Sequence, residues 1–150
     1  MKRSLILIVG ILIVGSLALP KFFDYAHDFS YSPIERIAEV QRVVDGDTLI
    51  LSSGERIRLV GINTPEIGAH AEAGGAEALE FVSSFLPPGT QVGINVDDLR
   101  PKDKYGRTLA VVFVREKGQW CNLNAKLLQL GLAEPFFIPP SEFNPYRWLC

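Results

Sequence analysis

Carboxylates, an amide and two arginines stand at predicted turns and strand ends, where side chains from distant segments can meet. The turn Asp45-Gly46-Asp47 precedes Arg58, which is followed by Asn63 and Glu66. Carboxylate and amide oxygens are ligands that calcium and magnesium prefer, and guanidiniums suit a phosphate whose charge grows in a transition state. Cleavage of a phosphodiester by metal-activated water needs these groups together. A second polar cluster precedes a later strand: Asp103-Lys104-Tyr105-Gly106-Arg107.

Each of these pieces also has a structural explanation. Asp-Gly-Asp is typical of tight turns, because both residue types tolerate the turn conformation. A single arginine on a strand commonly lies on a solvated face, and residues 103–107 are also consistent with a simple polar loop. The combination favours a phosphodiesterase site over the separate structural explanations.

The spacing of hydrophobic residues predicts five short strands. Residues 37–44 and 48–51 are strand-like and flank the Asp-Gly-Asp turn, in which Asp-Gly favours the positive φ of a tight hairpin. A turn at 52–55 leads to a third strand over Arg56 to Ile62. The fourth and fifth predicted strands are 91–96 and 108–115.

Two helices complete the prediction. Ala76, Leu79, Val82 and Phe85-Leu86 recur at helical spacing before Pro87-Pro88-Gly89 stops the run. A second helix is predicted from Cys121 to Leu130, capped by Gly131. The fold class is therefore α+β. Five short strands with two to three helices are most economically closed as an OB-type β-barrel, because closure removes exposed sheet edges.

The N-terminus has the layout of an export signal. Lys2 and Arg3 precede an apolar run from Leu5 to Leu19. A helix of that length spans about 22 Å, short of the ~30 Å hydrocarbon core. Residues 1–19 are therefore predicted to be a cleaved signal peptide or a membrane anchor, with the tether in residues 5–19. Residues 20–36 follow as a linker or arm and 37–150 as one domain, secreted or held on the outer side of the cytoplasmic membrane.

Charge and cysteine content restrict the function classes further. The formal net charge of −2 argues against a non-specific nucleic-acid coat protein, although it allows local phosphate binding. Two cysteines, Cys121 and Cys150, are too few for a zinc site or a disulfide framework. Nothing in the sequence indicates an obligate protein partner.

From about Val40 to Ile138 the chain resembles the staphylococcal nuclease, or thermonuclease, family. The resemblance rests on four blocks in order. They are Val43-Val44-Asp45-Gly46-Asp47-Thr48, Arg58 through Glu66, Asp103 through Arg107, and Leu123-Asn124 through Gly131-Leu132-Ala133.

The resemblance implies an OB-fold, calcium-dependent nuclease that acts on single- or double-stranded DNA and RNA with little sequence preference. Its products carry 3′-phosphate and 5′-hydroxyl ends. The implied metal ligands are Asp47 and Asn63. Glu66 is implied to orient or deprotonate the attacking water, while Arg58 and Arg107 stabilise the pentacovalent phosphorus. The implied nucleotide contacts are Lys104 and Tyr105.

The sequence departs from the family pattern at three places. Asn63 stands where the family's second metal aspartate is expected, and Phe136 and Phe137 stand near the expected nucleotide-stacking tyrosines. Only ten residues follow Pro140.

The alternative functions are a catalytically silent OB module that binds nucleic acid or a protein partner, and an OB domain that binds oligosaccharide.

Overall fold

The computed structural model describes residues 34–148. The predicted signal or anchor segment and residues 20–33 of the predicted linker lie outside the described residues. The strands are β1 (Arg36–Asp45), β2 (Thr48–Leu51), β3 (Arg56–Leu59), β4 (Gly61–Asn63), β5 (Gln91–Val96), β6 (Thr108–Glu116), β7 (Gln119–Asn122) and β8 (Glu134–Phe136). The helices are α1 (Gly75–Phe85) and α2 (Leu123–Gln129), with 3-10 turns at Gly68–His70 and Pro145–Arg147.

Five of these strands close into a barrel in the order β3-β2-β1-β5-β6. The closing pair is parallel, with Ile57 of β3 opposite Thr108 of β6. The other pairs in the barrel are antiparallel. This closure confirms the predicted five-stranded OB-type barrel with two helices.

The third strand is shorter than the sequence predicted. It ends at Leu59, and the chain resumes as β4 after Val60, because Gly61 adopts a φ of +77° that breaks the strand. β4 then leaves the barrel and pairs with β8, with Asn63 opposite Glu134. The break carries Asn63 and the residues after it away from the barrel wall.

The second helix begins at Leu123, so the prediction that it starts at Cys121 is wrong. Cys121 and Asn122 belong to β7, which extends the sheet beside β6. The Asn122 side chain accepts a hydrogen bond from the Ala125 N–H at 3.0 Å, which fixes the helix start. The predicted cap at the other end is confirmed, since Gly131 follows the helix with a φ of +68°.

Helix α1 and the residue after it bury part of the predicted face, since Val82 and Leu86 are both buried. Ala78 and Val82 are fully buried, whereas Ala76 is exposed. Ala78 lies against the β1–β2 turn, where a Cβ on Gly46 would come within 2.8 Å of the Ala78 Cβ and the Thr64 side chain. Gly46 does not have the predicted positive φ. The turn needs glycine because of this close contact with α1.

A buried amide ties helix α2 to the strands that carry the polar residues. Asn124 is fully buried, and its Oδ1 accepts from the Val112 N–H at 3.0 Å. Its Nδ2 donates to the carbonyls of Val60 at 2.9 Å and Ala110 at 3.2 Å. The side chain therefore satisfies main-chain groups at the break between β3 and β4, where an unpaired carbonyl would otherwise be buried at a cost of about 1–3 kcal/mol.

No helix within residues 34–148 is both long enough and apolar enough to cross a membrane.

Candidate active site

A cavity of about 560 Å³ lies where the β1–β2 turn, the end of β3 and the loop between β5 and β6 meet. This volume is within the range of about 300–1,000 Å³ that is typical of ligand sites. Every residue that the sequence singled out for the site lines this cavity. These residues are Asp47, Arg58, Asn63, Glu66, Lys104, Tyr105 and Arg107.

Asp47 is a buried carboxylate with several partners. Its Oδ2 lies 2.9 Å from the Arg58 Nη2 and accepts from the N–H and hydroxyl of Thr64 at 2.9 and 3.1 Å. Its Oδ1 accepts from the Thr48 hydroxyl at 3.2 Å. Burial nevertheless raises the pKa of Asp47 to about 6, because the loss of solvation outweighs the opposing effect of Arg58 and Thr64. The negative charge of this carboxylate is therefore incompletely compensated.

Arg58 is held in place at both ends of its guanidinium. Its Nη1 donates to the main-chain carbonyls of Leu59 and Ile62 at 2.8 and 3.0 Å. Its Nη2 donates to the Asn63 Oδ1 at 2.9 Å, in addition to the ion pair with Asp47. Burial lowers the pKa of Arg58, but an arginine remains charged at any physiological pH. The structure thus presents a fixed, buried positive charge.

Arg107 is positioned by Asp103 and Thr48. Its Nε donates to the Asp103 Oδ2 at 2.7 Å, and its Nη1 donates to the Thr48 hydroxyl at 3.3 Å. The other oxygen of Asp103 accepts from the N–H groups of Tyr105 and Arg107, which closes the turn. Burial alone would raise the pKa of Asp103, but these hydrogen bonds outweigh it and lower the pKa below its ordinary value. Asp103 therefore stays ionised and fixes one edge of the Arg107 guanidinium.

The exposed part of the cavity carries Glu66, Lys104 and Tyr105. Among residues 34–148, the Glu66 carboxylate makes no hydrogen bond or ion pair, while its backbone N–H donates to Glu72 at 3.0 Å. The Lys104 Nζ lies 4.9 Å from the centroid of the Tyr105 ring, which is two-thirds exposed. The Glu66 carboxylate is therefore exposed to solvent, and the Tyr105 ring is largely exposed beside the charges of Lys104 and Arg107.

The Asp47 Oδ2 and the Asn63 Oδ1 both face the same nitrogen of Arg58. Each lies 2.9 Å from the same Arg58 nitrogen, so their separation is at most twice that distance. Two ligands of one calcium ion lie no more than about 5 Å apart, since calcium–oxygen distances are about 2.3–2.6 Å. Within residues 34–148, no three His, Cys, Asp or Glu side chains form a metal-binding cluster. The donor set fits calcium only if water or a ligand completes the coordination.

The sequence reasoning missed two cationic residues of the cavity wall, Arg100 and Lys102. A usable signal was present, because Arg100, Lys102 and Lys104 alternate, and side chains at that spacing share one face of an extended segment. It also missed the hydroxyls of Thr48 and Thr64, which contact Asp47. Those contacts depend on the packing of three separate segments.

Comparison with known proteins shows which family the sequence resembles. The family model for the staphylococcal nuclease homologues matches residues 56–147. A thermonuclease of Staphylococcus intermedius is 34% identical over 89% of this chain and 83% of its own length. A thermonuclease of Staphylococcus hyicus is 31% identical over 92% of this chain and 82% of its own length. An uncharacterized protein of Methanocaldococcus jannaschii is 31% identical over 65% of this chain and 58% of its own length.

Proposed function

The chain belongs to the staphylococcal nuclease family and is a nuclease, and from that premise we propose that it hydrolyses phosphodiester bonds of DNA and RNA with calcium. One observation carries this proposal. Two guanidiniums, those of Arg58 and Arg107, line the same cavity as the unengaged carboxylate of Glu66 and the buried carboxylate of Asp47. A phosphate between these groups would meet positive charge and a base together.

The two arginines supply charge stabilisation. When water attacks phosphorus, negative charge builds on the non-bridging oxygens, and pre-positioned donors stabilise that charge more than they stabilise the substrate. Arg107 is held through Nε and Nη1, and Arg58 through Nη1 and Nη2. Because both guanidiniums are already fixed, little reorganisation is needed during the reaction.

Glu66 acts as the base in the proposed reaction. Its carboxylate accepts a proton from the attacking water while the new bond to phosphorus forms. The bond from phosphorus to the 5′ oxygen then breaks, and the leaving oxygen takes a proton from water. The products are a 3′-phosphate and a 5′-hydroxyl. All of these contacts are to phosphate and not to base edges, which agrees with little sequence preference.

Asp47 and Asn63 are the residues that would hold calcium. When bound, the ion would polarise a phosphoryl oxygen and increase the acidity of bound water. The raised pKa of Asp47 supports this assignment, because a second positive charge would stabilise its ionised form.

A cleavage assay on single-stranded DNA tests the proposal. Glu66→Ala and Arg107→Ala should each lower turnover by about 100-fold or more, since each removes a group used mainly in the transition state. Glu77→Ala, which removes an exposed acid of α1 outside the cavity, is the matched control. Activity should be lost with a calcium chelator and restored by calcium. Binding of DNA without any cleavage would instead indicate a silent OB module.

We further propose that the domain acts outside the cytoplasm, either released or tethered through residues 5–19. The support is the sequence alone: a basic flank, an apolar run and Pro20.

A further inference from the structure

The cavity is also lined by two cationic residues that the proposed reaction does not use. Arg100 and Lys102 line it together with Ile138 and Ser141, whereas the proposed reaction uses only Arg58 and Arg107 among its arginines. Arg100 and Lys102 lie in the loop between β5 and β6, and the proposed reaction leaves both without a role.

Arg100 differs from the other arginines that are at least partly buried. Arg36, Arg58 and Arg107 each pair with a carboxylate. The Arg100 Nε is fully buried, and no residue in the range 34–148 accepts a hydrogen bond from it. A buried donor without an acceptor destabilises the fold, and more so when it is charged. Among the described residues Arg100 therefore lacks the carboxylate partner that Arg36, Arg58 and Arg107 each have.

The backbone around Arg100 is held firmly in this position. The Asp97 Oδ1 accepts from the N–H groups of Leu99 and Arg100 at 3.1 and 3.2 Å. The next residue, Pro101, accepts from the Leu109 N–H at 3.0 Å. The other Asp97 oxygen, Oδ2, is also buried and accepts no hydrogen bond from any residue of the described part of the chain. Asp97 is thus the intramolecular competitor for Arg100 that a test must exclude.

We propose that Arg100, assisted by Lys102, binds a phosphate of the substrate strand next to the one that is cleaved. The inference rests on the proposed function, because it takes the substrate to be a polynucleotide. A phosphate is favoured over a base because a lysine, which is a point charge, accompanies the arginine. The site would thereby hold the strand at two phosphates and position the scissile bond between fixed contacts.

Binding of a fluorescent oligothymidylate, measured in chelator by anisotropy over a range of salt concentrations, tests this subsite without catalysis. The logarithm of the binding constant falls as the logarithm of the salt concentration rises. Each lost phosphate contact reduces the magnitude of this slope by about 0.7 for single strands. Arg100→Gln should show that decrease. Arg42→Gln, which removes an exposed charge of β1 outside the cavity, should leave the slope nearly unchanged.

A ligand series identifies the phosphate. Thymidine dinucleotides are compared with and without a 5′- or a 3′-terminal phosphate. In the parent protein one of these terminal phosphates should tighten binding by about tenfold, and that gain should disappear in Arg100→Gln. If neither phosphate gain depends on Arg100 and the salt slope matches that of Arg42→Gln, the proposal is overturned. Loss of stability alone in Arg100→Gln would overturn it in favour of pairing with Asp97.

The failure of this subsite and the failure of the nuclease proposal give different results. Normal cleavage that depends on Glu66, with unchanged binding in Arg100→Gln, would remove only the subsite. Oligonucleotide binding that depends on Arg100 but shows no cleavage in calcium would retain the subsite and remove the proposed reaction.

Discussion

Replacing Asn63 with aspartate tests how the domain would hold calcium. The Asn63 Oδ1 accepts from the Arg58 Nη2 at 2.9 Å, and the Asp47 Oδ2 lies at the same distance from that nitrogen. Asn63→Asp would therefore put a second negative charge close to Asp47. The change keeps the size of the side chain and the acceptor oxygen that faces Arg58.

The expected magnitude follows from this geometry. Two unit negative charges about 5 Å apart repel by about 3 kcal/mol at an effective dielectric constant of about 20. The new contact with Arg58 offsets part of this repulsion, and Asn63 is only half-buried, so solvent screens part of the remainder. A calcium ion shared by both oxygens relieves what is left. We expect calcium to bind the variant about tenfold more tightly, equivalent to about 1.4 kcal/mol.

Calorimetric titration of calcium without substrate measures this change directly. Gln119→Glu, which adds the same charge on the exposed edge strand β7, is the control for net charge and should leave the dissociation constant unchanged. Calcium should also stabilise the Asn63→Asp variant against unfolding more than it stabilises the parent at equal concentration. An unchanged dissociation constant in folded Asn63→Asp would refute the shared-ion reasoning. Asp47 would then be the one side-chain ligand still supported, with Asn63 serving to orient Arg58.

Three further predictions concern stability and location. Because the pKa of Asp47 is about 6 in the fold and ordinarily 3.8, the folded state retains a proton between about pH 4 and pH 6 that the unfolded chain has lost. Calcium-free stability in urea should therefore fall by about 3 kcal/mol across that window relative to Asp47→Asn, and equal pH slopes would contradict this. Gly46→Ala should cost about 1–3 kcal/mol in denaturant unfolding, because its Cβ would clash with Ala78 and Thr64; an unchanged midpoint would show that α1 can move aside. A reporter that is active only after export should be active when fused to residues 1–36, and activity of a cytoplasm-only reporter would oppose the export proposal.

Local sequence patterns predicted the strands at whose ends the site residues lie. Strand β2 and strand β5 were predicted at their observed boundaries, because each is a short apolar run bounded by turn residues. The parallel pairing of Ile57 with Thr108 closes the barrel, yet nothing in hydrophobic periodicity specifies it. Barrel closure was predicted because a closed barrel is the economical arrangement for five short strands, but the parallel pairing was not predicted.

The errors arose where distant contacts overrode local preference. Gly46 was expected to adopt a positive φ, but the turn needs glycine because α1 and Thr64 approach closely. The start of α2 could have been predicted, since Asn122 is a favourable N-cap three residues before Ala125. Strand β8 contains Pro135 and exists through its pairing with β4, so its own sequence gives little strand signal.

Fixing the phosphate-binding groups in advance leaves the ligand-free domain with poorly compensated charge. Asp47 helps to hold Arg58, yet its burial raises its pKa to about 6. Arg100 keeps a buried donor that no described residue accepts from. A cation near Asp47 and a phosphate near Arg100 would each remove one of these costs. Ligand binding should therefore stabilise the domain through groups that destabilise it when free, as expected when a protein fixes charges before its substrate arrives.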